Sequence, residues 1–330
     1  DRFSYLKIKI MNENSNIFTN KNILIYGLGK SGISSFQFLK KKNQVFLFDD
    51  NNKIRLTRDY KKNLISFNQI KKIKFDLIIL SPGINHERCR LNKFLKKNSK
   101  IIYTDLDVFF SFNRNVCIAI TGTNGKSTTC QLFYQVLKKQ KYDVRLAGNI
   151  GYPILSIKNI REHTIFVIEA SSYQLEYSKL FRSKYAAILN ISPDHLDRHK
   201  TIENYISAKF KLIKNQNKDS TAFVNKFDKN TQSRIKKIKY KSKIIKVDTK
   251  IKKSFINKFD NEYFSSASNI ENLSFVIELA KKFNIRKDSL IGVVKKFKGL
   301  NYRQQIIFKT KNISIINDSK STSYSSSIEM

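Results

Sequence analysis

Lys126 and Ser127 stand directly behind two glycines in AITGTNGKSTTCQLF, residues 119–133. An ammonium beside a hydroxyl at a glycine turn is equipment for holding a polyphosphate. Glycine lets main-chain N–H groups approach phosphate oxygens, the ammonium offsets β- and γ-phosphate charge, and a hydroxyl ligates Mg²⁺. The usual spacing of such loops, G-x-x-x-x-G-K-[ST], wants glycine at position 120, where Ile120 stands. The parts that do chemistry are kept: backbone amides from Gly122 through Thr123, Asn124 and Gly125 to Lys126, the Lys126 side chain, and the Ser127 and Thr128 hydroxyls. A purely structural turn has no need for lysine next to serine, so the segment is read as a triphosphate cradle.

A second glycine cluster, GLGKSG at 27–32, follows the apolar run NILIYGL, and Asp49 lies 22 residues after Gly27. That spacing fits a dinucleotide fingerprint, in which glycines admit a diphosphate to a helix N-terminus. By itself it also suits a nicotinamide oxidoreductase, or a plain turn between strand and helix.

Both loops need a strand before them and a helix behind. Apolar runs at 22–28, 44–50, 75–83, 164–170, 186–192 and 221–225 read as strands, and ISSFQFLKKK, 201–214 and 269–283 as helices. Alternating strands and helices imply parallel sheets and an α/β fold. The polar SFNRN before residue 116 reads as a domain boundary, FKGLNYR at 297–303 as a second linker, and IIFKTKNISIIND after it as a hairpin. The Lys-rich RIKKIKYKSK reads as a surface segment.

Four further stretches, GNIGYP (148–153), EASSYQLE (169–176), NISPDHLDRH (190–199) and NDSKSTS (317–323), occur in order with ITGTNGKSTT. Together they resemble the Mur ligases, amide-forming enzymes of peptidoglycan precursor synthesis, and within them the branch that adds D-glutamate. SSYQLE and NDSKST point to that branch rather than to relatives that add other amino acids, for instance to folate. The resemblance runs from about residue 22 to the end of the chain. It implies a Rossmann-like UDP-substrate domain (1–113), a central P-loop-type ATPase domain with a parallel sheet (114–298), and the start of a truncated Rossmann-like C-terminal domain (299–330).

It also implies a reaction. ATP and Mg²⁺ activate the carboxylate of UDP-N-acetylmuramoyl-L-alanine as an acyl phosphate, and the amine of D-glutamate displaces phosphate. The GLGKSG loop then holds UDP rather than a nicotinamide: Gly29, Lys30 and Ser31 face the diphosphate, Asp49 sits near the uracil, and Ser81, Pro82 and Gly83 line the pocket. Asn149, Ser171, Gln174 and His195 are the expected contacts to the muramoyl substrate. Lys126, Glu169, His195 and Lys209 are the catalytic set, and Ser127, Glu169, His195 and a carbamate formed on Lys209 the metal set. Asn269 is placed at the adenine and Arg303 towards the phosphates, with Asp318 and Lys320 reaching back to the nucleotide. Ser266 and Ser268 depart from the glycine and histidine usual beside that asparagine. His86, His163 and His199 gain no role and are read as surface residues. A complete third domain, which recognises D-glutamate, needs about a hundred further residues, so a fragment that only binds nucleotide is an alternative.

The formal net charge of +37 invites a nucleic-acid reading, but 50 of the 63 basic residues are lysine and they are spread along the chain. A recognition surface clusters its charge and favours arginine, so solvated faces and no specific nucleic acid are expected. No apolar run reaches the roughly 20 residues that span a bilayer, and the first eleven residues lack a secretory apolar core. The expectation is a cytoplasmic monomer without membrane insertion. Cys89, Cys117 and Cys130 are too scattered for a disulfide frame or zinc site and are expected as reduced, partly buried side chains.

Overall fold

The computed structural model describes residues 16–320, apart from positions 52, 55, 252, 304, 311 and 312. The readings of the first eleven residues and of 321–323 in NDSKSTS lie outside the described residues.

Strands β1 (Asn22–Tyr26), β2 (Gln44–Phe48), β3 (Leu77–Leu80) and β4 (Ile102–Tyr103) form a parallel sheet in the order β2-β1-β3-β4. A second parallel sheet contains β5 (Cys117–Thr121), β6 (Val144–Gly148), β7 (Ile165–Glu169), β8 (Tyr185–Ile188), β9 (Thr221–Asn225) and β10 (Lys243–Val247). Its order is β10-β9-β8-β5-β7-β6. Every residue of β3, β5 and β7 is buried, as parallel strands covered on both faces must be, and this is why they read as unbroken apolar runs. β11 (Gln305–Lys309) and β12 (Ser314–Asn317) make an antiparallel hairpin with a bulge between Ile306 and Phe308.

Two compact units result. Among the described residues, one comprises 16–115 with the later segments 152–160 and 172–182; the other comprises 116–151, 161–171 and 183–320. In the first, Leu24, Tyr26, Ile78, Leu80, Leu95 and Ile102 form the core. In the second, Ile118 and Ile120 of β5 share a core with Phe133 and Val136 of the Lys126–Lys139 helix and Leu273 and Val276 of the Ala267–Lys282 helix.

A buried carboxylate anchors the 172–182 segment to the first unit. Asp107 lies in the Asp105–Phe112 helix and is wholly inaccessible. Its Oδ1 accepts from Ser178 Oγ (2.9 Å) and from the N–H groups of Lys179 (2.9 Å), Leu180 (2.8 Å) and Phe181 (3.1 Å). Its Oδ2 accepts from the Thr104 N–H at 3.0 Å. A buried carboxylate is tolerated when donors surround it.

The strands at 22–26, 44–48, 77–80, 117–121, 165–169 and 221–225 lie where the apolar runs place them, and β8 covers 185–188, at the start of the run read at 186–192. The lysines of RIKKIKYKSK are exposed, as the surface reading expects, and the stretch holds the end of the Lys229–Lys237 helix and the start of β10. In β10 Lys243 and Lys246 are exposed while Val247 enters the core. Replacing Asp107 with Ala leaves several buried donors unpaired, each worth about 1–3 kcal/mol. Urea unfolding of Asp107→Ala is expected to show a loss of about 3 kcal/mol or more; a loss under about 1 kcal/mol would remove the anchoring role.

Candidate active site

The loop Gly122–Gly125 leaves the carboxyl end of β5, the central strand flanked by β7 and β8, where parallel α/β sheets place their ligands. Gly125 has φ +78°, and a Cβ there would lie 1.9 Å from Asn272 Oδ1, so any other residue would be strained and would have to displace Asn272. The Lys126–Lys139 helix starts at once, and the N–H groups of Lys126, Ser127 and Thr128 have no acceptor within it. They are the donors available to an anion. The amides of Thr123 and Asn124, expected in the same cradle, are instead bonded to Asn190 Oδ1 at 3.1 and 2.8 Å. The anion-facing part of the loop is thus shorter than its sequence implies.

Two lysines reach into this loop. Lys126 Nζ donates to the carbonyls of Gly122 (2.9 Å) and Thr123 (2.7 Å), and Lys209 Nζ to Gly122 O at 2.6 Å. Lys209 comes from the Ile202–Lys214 helix and is 1% exposed. Burial, with the positive charge of Lys126, holds its amine well below the ordinary value of 10.5. Lys126 is also lowered, chiefly by desolvation, while Glu169 opposes the shift.

Glu169 ends β7 and is fully buried. Its Oε2 accepts from Ser127 Oγ at 2.7 Å and its Oε1 from Asn149 Nδ2 at 2.8 Å. Three residues read from separate motifs therefore meet at one carboxylate. Ser171 follows two residues on. His195 lies at the start of the Leu196–His199 turn in the left-handed region (φ 54°), its Nε2 3.4 Å from Asp194 Oδ2. Burial lowers its pKa, with Asp194 opposing and Lys126 and Lys209 adding to the effect. Among the described residues, no group of three or more His, Cys, Asp and Glu side chains could hold a metal. The Ser127–Glu169 oxygen pair suits a hard cation such as Mg²⁺, which completes its shell with water and phosphate.

Asn269 is buried in the first turn of the Ala267–Lys282 helix; Ser266 Oγ caps its N–H at 3.4 Å, and its Nδ2 donates to Tyr263 O at 2.8 Å. Thr128 hydrogen-bonds the Tyr263 side chain, whose pKa burial raises and which also feels the charges of Arg303 and Asp318. Arg303 is close enough to lower Lys126. These residues therefore gather beside the loop. The exposed Lys320 donates its N–H to Tyr302 O at 3.1 Å.

In the first unit, Gly29 precedes the Lys30–Leu39 helix as its N-cap. The preceding turn is tight: a Cβ on Gly32 would lie 1.8 Å from Gly27 O, to which Ser81 Oγ donates at 2.6 Å. Asp49 Oδ2 accepts from the Leu28 N–H at 2.6 Å. Asp49 also lines a cavity of about 850 Å³ floored by Phe48 and Phe67. Pro82 and Gly83 follow β3 at its carboxyl end. Ser31 Oγ donates to Asp105 Oδ2 at 2.7 Å, and Gln174 also bonds this carboxylate, which burial raises in pKa. The sequence reading missed Asp105, Asn190 and Asn272. Only the NIS before PDH marked the second, and TDLD at a helix start carries no chemical signature.

A parallel sheet carrying a glycine–lysine loop into a helix, with a hydroxyl on a buried carboxylate, defines a phosphate-loop nucleotide-binding α/β protein. The chain belongs to the Mur ligase family. Residues 120–292 match the Mur ligase middle domain and 21–103 the Mur ligase MurD-like N-terminal domain. The UDP-N-acetylmuramoylalanine--D-glutamate ligase of Rickettsia prowazekii (strain Madrid E) is 36% identical over 341 residues, covering 95% of this chain and 75% of that protein. The protein of the same name from Lachnoclostridium phytofermentans is 32% identical, covering 94% and 75%. Among solved structures, MurF ligase from Thermotoga maritima in complex with ADP has the same fold (TM-score 0.52, 14% identity, 92% of this chain and 71% of that one).

His199, expected at the surface, is 4% exposed. Its ring packs on Tyr205 at 5.3 Å, and burial, with Arg198 and Lys209, lowers its pKa to about 4. The unfolded chain binds this proton more readily, so the contribution to stability is complete above the ordinary 6.5 and declines as pH falls towards 4. NMR titration is expected to find the His199 imidazole neutral down to about pH 4, and His199→Asn to flatten the stability profile across that window; a midpoint near 6.5 would contradict the burial argument.

Proposed function

We propose that this chain catalyses ATP-dependent amide formation, joining D-glutamate to the L-alanine carboxylate of UDP-N-acetylmuramoyl-L-alanine in peptidoglycan precursor synthesis. The observation that carries the reading is the meeting of Lys126, Ser127 and Glu169 at one loop, in a chain whose relatives over three quarters of their length bear that enzyme's name.

A carboxylate resists attack because its oxygen leaves poorly. Phosphorylation by ATP gives an acyl phosphate; the amine then adds, and phosphate departs with the C–O bond, leaving an amide and ADP. Phosphoryl transfer rests mainly on positioning and charge neutralisation. The amides of Lys126, Ser127 and Thr128 hold phosphate oxygens, and the Lys126 ammonium, already within the loop, offsets their charge. Arg303 adds positive charge from the same side. Asn269, Asp318 and Lys320 are assigned to the nucleotide.

Ser127 and Glu169 would hold Mg²⁺, which when bound neutralises phosphate charge; Asn149 fixes the free oxygen of Glu169. His195 and Lys209 border the same loop. Burial lowers the cost of the neutral amine, the form that takes up CO₂ by forming an N–C bond and releasing a proton, so Lys209 is assigned as the carbamate of the metal set. The UDP part is assigned to the first unit: its diphosphate to the amides at Gly29, Lys30 and Ser31, and its base to the Asp49 cavity, with Ser81, Pro82 and Gly83 at the neighbouring strand end. Ser171, Gln174 and Asn149 are assigned to the muramoyl group. The protein acts in this scheme as a cytoplasmic monomer.

The test is ADP release with UDP-N-acetylmuramoyl-L-alanine, D-glutamate and MgATP. Release is expected to require both acceptor and amino acid and to yield the amide; ADP release without an amide product would overturn the reading. Lys126→Ala is expected to lower turnover about a thousandfold, about 4 kcal/mol of barrier. A near-normal rate would remove the phosphate-cradle assignment.

A further inference from the structure

The first half of the phosphate loop is held by one residue, Asn190, whose main-chain carbonyl accepts the Thr123 N–H at 2.9 Å. Asn190 Oδ1 accepts from both Thr123 N–H (3.1 Å) and Asn124 N–H (2.8 Å). An asparagine amide presents oxygen on one side and NH₂ on the other. If it flipped, its NH₂ would face both N–H donors; Thr123 N–H would keep the Asn190 main-chain carbonyl at 2.9 Å, and Asn124 N–H would lose its acceptor. Something must therefore fix the orientation of Asn190.

Glu271 does this. Its Oε1 accepts from Asn190 Nδ2 at 2.6 Å, a charge-assisted bond that the flipped amide cannot make. Its Oε2 accepts from Asn225 Nδ2 at 2.9 Å. Asn225 is buried at the end of β9, where its Oδ1 accepts the Phe227 N–H at 2.9 Å. The carboxylate is thus clamped between two amides whose other ends are committed to backbone. The next residue, Asn272, packs against Gly125 and accepts from Thr129 Oγ1 at 3.2 Å. Successive residues of one helix therefore brace both halves of the loop.

We infer that Glu271 is a positioning residue for the phosphate loop: acting through Asn190, it fixes Thr123 and Asn124 so that the next amides converge on the nucleotide phosphates. The inference rests on the loop's proposed role as a polyphosphate cradle. It runs against simple electrostatics, because a carboxylate beside this loop repels an anionic ligand. Removing the charge alone should tighten nucleotide binding, whereas removing the brace should weaken it. The two effects differ in sign.

The experiment is calorimetric titration of the chain with MgADP. Glu271→Ala and Glu271→Gln are expected to weaken binding about tenfold, Gln because its NH₂ opposes one of the two asparagine donors. Adding Asn225→Asp to Glu271→Gln restores a donor–acceptor match at that end and is expected to recover most of the affinity. Titration with UDP-N-acetylmuramoyl-L-alanine separates positioning from general loosening, since its affinity is expected to stay within twofold. Unchanged or tighter MgADP binding by Glu271→Gln, no recovery in the double variant, or equal losses for both ligands would overturn the inference while the cradle stands. Failure of the unaltered chain to bind MgADP would overturn both. If Glu271→Ala does not fold, the Gln and rescue variants decide.

Discussion

Two ammonium groups converge on one peptide oxygen, that of Gly122, and the central unit is organised around this constraint. Lys126 reaches it from the helix that follows the loop and Lys209 from a helix 83 residues later. Burial is the main reason both amines are held below their ordinary range, with the charge of Lys126 adding to it at Lys209 and that of Arg303 adding to it at Lys126. Glu169 offsets part of that charge and has its own oxygens occupied by Ser127 and Asn149. A polyanion placed here would favour the charged form of these amines, so the electrostatics of the loop suit phosphate.

This arrangement asks much of the surrounding polar groups. The loop's carbonyls face the lysines, its first amides face Asn190, and its last amides stay with the helix N-terminus. Each set points in a different direction, which a glycine loop permits but does not enforce. Enforcement comes from side chains on other elements, Asn190 after β8 and Asn272 on the Ala267–Lys282 helix, and from the loop's own Thr123, whose hydroxyl accepts the Ser192 N–H at 3.0 Å. The first unit solves a similar problem with carboxylates. Asp105 holds Ser31 and Gln174, and Asp107 holds the backbone that follows Gln174. In both units the residues suited to touching a ligand are themselves held by buried polar partners, which sets their geometry before the ligand arrives.

Much was legible in the sequence because parallel strands buried on both faces are unbroken apolar runs, and because a glycine–lysine–serine loop has few uses besides phosphate. The motifs named Lys126, Ser127, Glu169 and Asn149; the fold brings Ser127 and Asn149 onto the Glu169 carboxylate and leaves Lys126 near enough to feel its charge. β10 was hidden by lysines on its solvent-facing positions, and His199 by a charged sequence context that gave no sign of the Tyr205 ring covering it. The extent of the anion-facing amides was misjudged, since nothing in TGTNGKST says that two of them are bonded elsewhere.

The sequence alone determined local matters: which segments are strands, where glycine is obligatory, and which side chains have the chemistry for phosphate and for a hard cation. Each follows from spacing along the chain or from the nature of one residue. Tertiary structure decided the partnerships. Lys209 shares a carbonyl with Lys126, Asn190 takes up two loop amides, and Glu271 fixes Asn190, across separations of 66 to 87 residues. Such contacts depend on strand order and helix packing, and a hydrogen bond between distant residues leaves no periodic trace along the chain.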